Sequence, residues 1–274
     1  MKNYIFTDLA CETNDEKHGQ EKVISDKIKK ITLFDRESKE KIRHTVFYSP
    51  RLWKLNDKDF SLLQGAVSEE LLLTVSERLS LKKCNGISIL VVGLGNPHLT
   101  TDALGSETVK NISVTHNKEN FSVYAVAMDV MGNTGIDTVD AVRAYTDMLK
   151  PSVLIAVDAL MAKSYERLAS TVQISDGGIT PGGGFGMKRR HLDIDSVGVP
   201  VISVGVPMVV NSSTMIAEAL IKGGMDNIPE GVSALLENGL NFFVTPKEAD
   251  IAVRSAALLI SSAINSALSG FCEA

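Results

Sequence analysis

Two aspartates each follow an apolar run, and each begins an Asp-Ala-Leu triplet. The run at residues 87–92 leads through a short segment to Asp102, and the run at residues 153–157 leads directly to Asp158. Open α/β sheets bind their ligands at the carboxyl ends of parallel strands. If the two carboxylates approach one another, like-charge repulsion raises the pKa of one of them, so that the pair shares a proton and acts as acid and base. Asp102 and Asp158 are therefore a candidate catalytic pair.

Each aspartate also has a purely structural interpretation. Asp102 follows Thr100 and Thr101 and is placed to cap or complement the positive amino end of a helix. Asp158 ends an apolar run, so it must lie at the rim of the sheet or be costly to bury. The residues alone leave the catalytic and the structural interpretations open.

The segment after the first apolar run contains two closely spaced glycines, Gly93 and Gly95. A dinucleotide-binding fingerprint needs a third glycine where this chain has His98, and Pro97 disturbs the tight turn that such a site requires. This pattern argues against a nicotinamide cofactor, and no cofactor is expected. Because Gly93, Gly95 and Asn96 follow a strand, their backbone amides are candidate donors to an oxyanion or candidate positioning groups.

A glycine-rich stretch at residues 177–191 contains three consecutive cations near its end, Lys188, Arg189 and Arg190. Dense glycine predicts either a mobile loop or close approach of the backbone to a ligand. The cations attract carboxylate or phosphate groups and are candidate substrate-binding residues. A solvated, flexible loop explains the same sequence equally well.

Other kinds of catalytic site find little support. The histidines form no ligand-like cluster, and Cys11, Cys84 and Cys272 are odd in number and far apart, which argues against a disulfide framework or a zinc site. The sequence contains no Gly-x-Ser-x-Gly nucleophile elbow, and no cysteine has a histidine at a spacing typical of a cysteine-protease site. Serine and cysteine nucleophiles and a bound metal are therefore not expected.

Composition narrows the range of partners. The 274 residues are 44% hydrophobic and carry a formal net charge of -5, so the chain has no broad attraction for nucleic acid or an anionic membrane. The amino terminus lacks the apolar region of a signal peptide, and no stretch reaches the ~18 continuous apolar residues of a membrane span. We expect a cytoplasmic protein with no nucleic-acid or membrane partner.

Apolar strand-like runs alternate with helical patterns along the chain. Helices are predicted at residues 66–81, about 102–112 and 136–149, with strands before and between them. This alternation predicts an α/β fold in which a twisted, mostly parallel sheet has helices on both faces.

The first part of the chain differs in composition from the rest. Residues 14–42 are dense in charge and are expected to form an exposed lead-in before the core. We therefore expect a charged amino-terminal segment at residues 1–41, followed by a single α/β domain at residues 42–274.

Four long motifs resemble the germination protease family of spore-forming bacteria. They are TDLACET at 7–13, VVGLGNPHLTTDALGSETV at 91–109, VMGNTGIDTVD at 130–140 and the block from VLIAVDALMA to VGVPMVV at 153–210. The resemblance implies an endopeptidase of the spore core that degrades small acid-soluble spore proteins at germination. It also implies a homotetramer, a fold shared with hydrogenase-maturation peptidases, and an atypical aspartic pair that falls on Asp102 and Asp158.

The resemblance further implies a zymogen that removes its own amino-terminal segment. The family's substrates are cut after an acidic residue in a sequence of the type Thr-Glu-Phe/Ile-Ala-Ser-Glu-Thr, and residues 7–13 are similar to it. We therefore predict self-cleavage between Asp8 and Leu9, which makes residues 1–8 a pro-segment. The acidic residues around this bond give the basic loop at 188–190 a role in attracting substrate.

The chain departs from the family at one place near the aspartate pair, and two other functions compete with the protease interpretation. Met128 and Asp129 stand where the family has Pro-Gly, and Asp129 is expected to add a carboxylate near the pair. One rival is a metal-dependent maturation peptidase of the related fold, with Asp102 and Asp158 as ligands. The other is a non-catalytic homologue that binds spore proteins without cutting them.

Overall fold

The computed structural model describes residues 5–13, 19–35, 41–80, 86–118, 121–182, 189–225, 227–238 and 242–271. The strands within these ranges are β1 (Gln20–Ser25), β2 (Ile28–Phe34), β3 (Arg43–Tyr48), β4 (Ile87–Gly93), β5 (Thr115–Lys118), β6 (Phe121–Ala127), β7 (Val153–Ala162), β8 (Thr171–Ser175), β9 (Val201–Asn211) and β10 (Phe243–Val244). The α-helices are α1 (Ala10–Thr13), α2 (Asp57–Ser80), α3 (Leu104–Val109), α4 (Met131–Thr134), α5 (Thr138–Leu149), α6 (Ile194–Val197), α7 (Ser212–Lys222), α8 (Glu230–Asn238) and α9 (Ala249–Ser269).

All the described strands belong to one mixed sheet. Its order is β1-β2-β3-β8-β9-β7-β4-β6-β5, and β10 pairs with β9 off this path. The four central strands β9, β7, β4 and β6 are parallel to their neighbours within this group. Antiparallel strands extend the sheet on both sides. The predicted α/β class is confirmed, and the parallel character is confined to the four central strands.

The central strands are buried on both faces, as their continuous apolar runs predict. On β7, Ile155 and Val157 point to one face, while Leu154 and Ala156 point to the other. Helices cover both faces, because neither apolar face is stable in water.

The long helices α2 and α9 cover the first face. Leu63, Val67, Leu71 and Val75 of α2 recur every fourth residue and are fully buried against the sheet. By length and composition α9 qualifies as a membrane span, and 61% of its most apolar window is buried inside the protein. A core helix has the same two properties, so this feature is weak evidence for a membrane.

The second face carries the shorter helices and the candidate site. Helices α5 and α6 pack over β4, β7 and the start of β9, where Val142 and Val197 meet Leu154 of β7. Further along the same face, residues 9–11 pack against Leu160 and Val46. This face therefore has two apolar clusters with the candidate site between them.

The charged lead-in expected at residues 14–42 is a sheet edge over much of its length. Strands β1 and β2 form an antiparallel hairpin that continues into β3. Ile28, Ile31 and Leu33 of β2 are buried. Lys29 is exposed, whereas Lys30 contacts the buried Glu70 of α2, so part of the charge of this segment lies on a packed face. The expectation of an exposed segment is wrong for β2 at 28–34, which packs into the core, whereas β1 at 20–25 is largely exposed. Residues 14–18 and 36–40 lie outside the described residues. The domain division at residue 42 stays a prediction.

Candidate active site

Asp158 lies inside β7 and not at its end. The strand continues for four residues beyond it, because β9 keeps pairing with β7 as far as Ala162. The neighbouring strand β4 stops earlier, and its last pair joins Gly93 to Val157. Asp158 is thus the first residue of β7 beyond the end of β4. It is only 4% exposed, so of the two expected alternatives, a rim position or a costly burial, the structure has the burial.

The Asp158 carboxyl is buried, and no cation lies beside it among the described residues. It accepts a hydrogen bond from the amide of Ala159 at 2.9 Å and another from the amide of Gly182. Burial, followed by the negative charges of Asp102 and Asp8, raises the pKa of Asp158 well above its ordinary value. Asp158 therefore holds a proton at a pH at which an exposed aspartate has lost it.

Asp102 is held by the loop that follows β4. It ends a single 3-10 turn (Thr100–Asp102), and its Oδ2 accepts a hydrogen bond from the Asn96 amide at 2.7 Å. The following helix α3 begins after Ala103 and has no side-chain cap. The helix-cap interpretation of Asp102 is therefore wrong, because its carboxylate turns back onto the loop.

The two aspartates line one cleft of about 630 Å³. Burial raises the pKa of Asp102 from its ordinary value, while the Asn96 amide and the charge of Arg189 oppose this rise and Asp129 adds to it. Asp129 thus contributes a negative charge near the pair. The structure brings together the two carboxylates that the sequence proposed as a pair, and their catalytic role stays a prediction.

The glycines before Asp102 permit close packing. A Cβ atom on Gly93 would lie 2.2 Å from the carbonyl oxygen of Gly105 in α3, so only glycine lets the strand and helix approach this closely. Gly95 has a φ of +108°, and a Cβ there would lie 2.1 Å from the Asp102 carbonyl oxygen. These two residues therefore position Asp102.

The Asn96 amide cannot serve a substrate oxyanion while it donates to Asp102. The amide of Leu94 is also occupied, since it donates to the carbonyl of Val157 at 2.8 Å. The oxyanion role suggested for Asn96 is therefore replaced by a positioning role for its backbone.

The cations of the basic loop have different surroundings. Arg189 is exposed, lines the cleft, and its charge lowers the pKa of Asp102. Arg190 also lines the cleft but pairs with Asp140 at 2.5 Å and with Asp137 at 3.4 Å, at the start of α5. Lys188 lies outside the described residues. Of the two described cations, Arg189 is the one whose charge reaches the carboxylate pair.

The segment that resembles a cleavage sequence lies on the same face of the sheet. The amide of Asp8 donates to the carbonyl of Met161 at 2.9 Å, and the amide of Met161 donates to Oδ2 of Asp8 at 2.8 Å. Leu9 is fully buried. The segment is therefore docked three residues beyond Asp158 along β7.

The acidic side chains of this segment are bound by backbone amides. The carboxylate of Glu12 accepts hydrogen bonds from the amides of Lys163 at 2.6 Å and Ser164 at 3.0 Å, and the Thr7 hydroxyl also donates to it. Burial is the main cause that raises the pKa of Asp8 to about 6, against the opposing Met161 hydrogen bond. Both acids are thus recognised without a buried cation.

Comparisons with known proteins agree with this arrangement of motifs. The family model Peptidase_A25, germination protease, matches residues 10–222. The chain belongs to the germination protease family. The germination protease of Caldanaerobacter subterraneus subsp. tengcongensis is 33% identical over 96% of this chain and 94% of the relative. The germination protease of Bacillus subtilis is 31% identical over 96% and 93%, and that of Clostridium acetobutylicum is 30% identical over 97% and 95%.

Membership of the germination protease family identifies the protein as a peptidase. Among solved structures, a [NiFe] hydrogenase maturation protease HycI from Thermococcus kodakarensis matches 69% of this chain and 98% of its own, with a TM-score of 0.35 and 14% identity. A match at this TM-score carries no argument about function. Within the described residues of this germination protease, no group of three or more His, Cys, Asp or Glu side chains is arranged to hold a metal ion.

One polar residue of this site, Gln173, was not predicted from the sequence. Gln173 lies in the middle of β8, is 8% exposed, and contacts the docked segment through both ends of its carboxamide. It also lines a cavity of about 200 Å³ together with Asp8 and His44. A glutamine within a run of β-branched residues is a readable signal, because a buried amide needs partners.

Proposed function

We propose that this germination protease is a self-processing zymogen that cuts its own Asp8–Leu9 bond with Asp102 and Asp158 as an aspartic-type pair. The observation that carries the proposal is the position of the bond. Residues 8 and 9 are docked on the face that carries the pair, and the charge of Asp8 acts on the pKa of Asp158.

The contacts of residues 7–13 support a substrate-like binding mode. The residue before the bond is held at Met161, the residue after it is fully buried, and the acid four residues beyond the bond is held at residues 163–164. These are the acidic and apolar positions at which the segment is similar to the family's substrate sequence. A substrate protein with that sequence would make the same contacts in a processed enzyme.

The difference between the two carboxyl environments supports an assignment of roles. Asp158 is the more buried and has no cation among its described neighbours, so it is the protonated partner, whereas Asp102 has the Asn96 amide and the charge of Arg189 to stabilise its ionised form. Asp102 takes a proton from the attacking water, whose oxygen adds to the scissile carbonyl carbon. Asp158 donates its proton to the departing amine as the C–N bond breaks.

The further parts of the proposal rest on family membership. The substrates of the processed enzyme are small acid-soluble spore proteins, the compartment is the spore core, and the assembly is a homotetramer. Arg189 attracts the acidic residues of these substrates to the cleft, because it is exposed beside Asp102. Sedimentation of the purified protein tests the tetramer separately from the activity.

The test of the proposed function is cleavage of a purified small acid-soluble spore protein. We expect fragments that begin immediately after an acidic residue when the parent chain is first held at mildly acidic pH, and none with Asp158→Asn. The Glu69→Gln variant is a matched control, because Glu69 is exposed on α2 at the opposite face.

Two outcomes would contradict this proposal. Binding of the spore protein without fragments would favour the non-catalytic homologue. Loss of cleavage with EDTA, with recovery on adding a divalent metal, would favour the metal-dependent peptidase and exclude the shared-proton mechanism.

A further inference from the structure

Gln173 contacts the bond that the proposed function cleaves. Its Nε2 donates a hydrogen bond to the carbonyl oxygen of Asp8 at 3.1 Å, and its Oε1 accepts one from the amide of Ala10 at 2.7 Å. The Asp8 carbonyl only accepts and the Ala10 amide only donates, so these partners fix the orientation of the carboxamide. The side chain thereby spans the Asp8–Leu9 bond from one side.

The sheet register places Gln173 and Asp158 on either side of one glycine. Gly205 of β9 pairs with Asp158 of β7 on one side and with Gln173 of β8 on the other. Adjacent strands lie about 4.8 Å apart, so the two Cα atoms are about 10 Å apart across Gly205. All three residues face the side of the sheet that carries the docked segment, as the alternation along each strand requires.

The side chain of Leu160 fills the space over Gly205. A Cβ atom at this position would lie 2.5 Å from Cγ of Leu160, which itself packs against Leu9. A larger residue would therefore displace the leucine that supports the docked segment. The absence of a side chain at Gly205 lets Leu160 lie over the strand between Asp158 and Gln173, where it supports Leu9.

We infer that Gln173 is a third catalytic residue of the self-cleavage reaction, acting through its Nε2 on the scissile carbonyl oxygen. This inference rests on the proposed function. When water adds to the carbonyl carbon of Asp8, the C=O electron pair moves onto the oxygen, and the Gln173 N–H stabilises the resulting negative charge. The oxyanion then collapses, the bond to the Leu9 nitrogen breaks, and the carboxyl partner protonates the amine.

Gln173 supplies a donor to the scissile carbonyl, whereas two amides that follow β4 are already occupied. The Asn96 amide is committed to Asp102 and the Leu94 amide to Val157. A neutral donor also suits this site, because a cation beside Asp158 would lower the pKa of the carboxyl that must hold a proton. The carboxamide stabilises the oxyanion without that effect.

The test is the first-order rate constant of self-cleavage in the full chain carrying Gln173→Met, which keeps the side-chain length and removes the donor. Removal of one oxyanion donor lowers such a rate about 100-fold or more, so we expect that loss. Alkylation of Cys11, which is buried in the docked segment, is mapped by peptide mass spectrometry as the measure of docking. We expect Cys11 to stay protected in the variant.

Gln64→Met is the matched control, because Gln64 bonds α9 on the opposite face of the sheet. We expect this control to be cleaved at the parental rate. If Gln173→Met does not fold, Gln173→Glu is the second variant. It keeps an acceptor for the Ala10 amide and loses the donor when ionised, and we expect at least the same loss at neutral pH.

The outcomes separate this inference from the proposed function. If the parent is cleaved, Asp158→Asn is not, and Gln173→Met is cleaved within threefold of the parent, the inference fails and the proposed function stands. A slow Gln173→Met variant with Cys11 exposed to alkylation assigns Gln173 to docking alone and also overturns the catalytic role. An uncleaved parent overturns the proposed function and this inference together.

Discussion

Two buried carboxyl groups on opposite faces of the sheet have different partners. Glu70 of α2 is 3% exposed and lies 2.5 Å from the Lys30 ammonium, 3.7 Å from Nε of Arg43 and 2.9 Å from the Thr45 hydroxyl. Asp158 of β7 is 4% exposed, accepts hydrogen bonds from two backbone amides, and has two other aspartates as its charged neighbours. Equal burial thus accompanies opposite electrostatic surroundings.

The difference separates a carboxylate that supports the fold from a carboxyl group suited to proton transfer. Two cations and a hydroxyl beside Glu70 offset the cost of burying its side chain. No cation among the described residues offsets the burial of Asp158 in this way, and the cost of burial raises its pKa. Strained electrostatics of this kind in a cleft are typical of catalytic groups.

The largest expected effect comes from Asp158→Asn. We expect the rate of self-cleavage to fall at least ~1,000-fold, since a general acid is lost. We also expect the free energy of unfolding at pH 7 to rise, because a carboxyl with a raised native pKa loses stability as pH rises above its ordinary value, and the amide does not titrate. Urea unfolding at pH 5 and pH 7 measures this change. A fall in stability at pH 7 would contradict our view of Asp158.

The next largest effect is the pH dependence with which the amino-terminal segment docks on the sheet. We measure docking by the alkylation of Cys11 in the Asp158→Asn variant, which is not cleaved. The pKa of Asp8 rises from 3.8 to about 6 in the docked state, so the docked segment binds a proton more tightly than the free one. Docking is therefore strongest below pH 3.8 and weakens up to ~100-fold as pH rises through about 6. Adding Asp8→Asn should flatten this dependence. An equal dependence with and without Asp8 would contradict the expectation.

Glu70→Gln tests the other side of the comparison. We expect about 1–3 kcal/mol of lost stability, because Lys30 and Arg43 lose their shared carboxylate while keeping some contact with solvent. The rate of self-cleavage in the folded protein should stay near the parental value. Chemical denaturation and the cleavage time course measure the two quantities separately. A large loss of rate in folded Glu70→Gln protein would show that the two faces are coupled.

The smallest effect is expected from Arg189→Ala. Without this cation the pKa of Asp102 rises further, so the acidic limb of the rate profile should move to higher pH with little change in the maximal rate. Arg143→Ala, in an exposed pair with Asp147, is the matched control. A shift in the opposite direction would exclude Asp102 as the ionised partner.

The sequence predicted the parts of this site that depend on local pattern. Continuous apolar residues predicted the strand before Asp102 and the strand that contains Asp158. These two strands are parallel neighbours, and both aspartates lie where the first strand ends, which explains the shared cleft. The continuation of β7 beyond Asp158 was not predicted from the sequence. It depends on pairing with β9, a partner distant in sequence.

Two further features depended on long-range contacts. Strand β2 was expected to be exposed because charged residues separate its apolar ones, and the burial of Ile28, Ile31 and Leu33 depends on packing that includes the pairing with β3. Gln173 was not predicted as a site residue because its partners, the carbonyl of Asp8 and the amide of Ala10, lie more than 160 residues away in sequence. A periodic pattern reports the face that a residue occupies and does not report what docks on that face.

The most direct test of the central claim is mass spectrometry of the purified chain held at mildly acidic pH, beside Asp102→Asn and Asp158→Asn. We predict that the parent gains a new amino terminus at Leu9 and that neither variant does. An unchanged parent mass over days would contradict self-processing. A new terminus at Leu9 in both variants at the parental rate would contradict the assignment of the carboxyl pair as the catalytic groups.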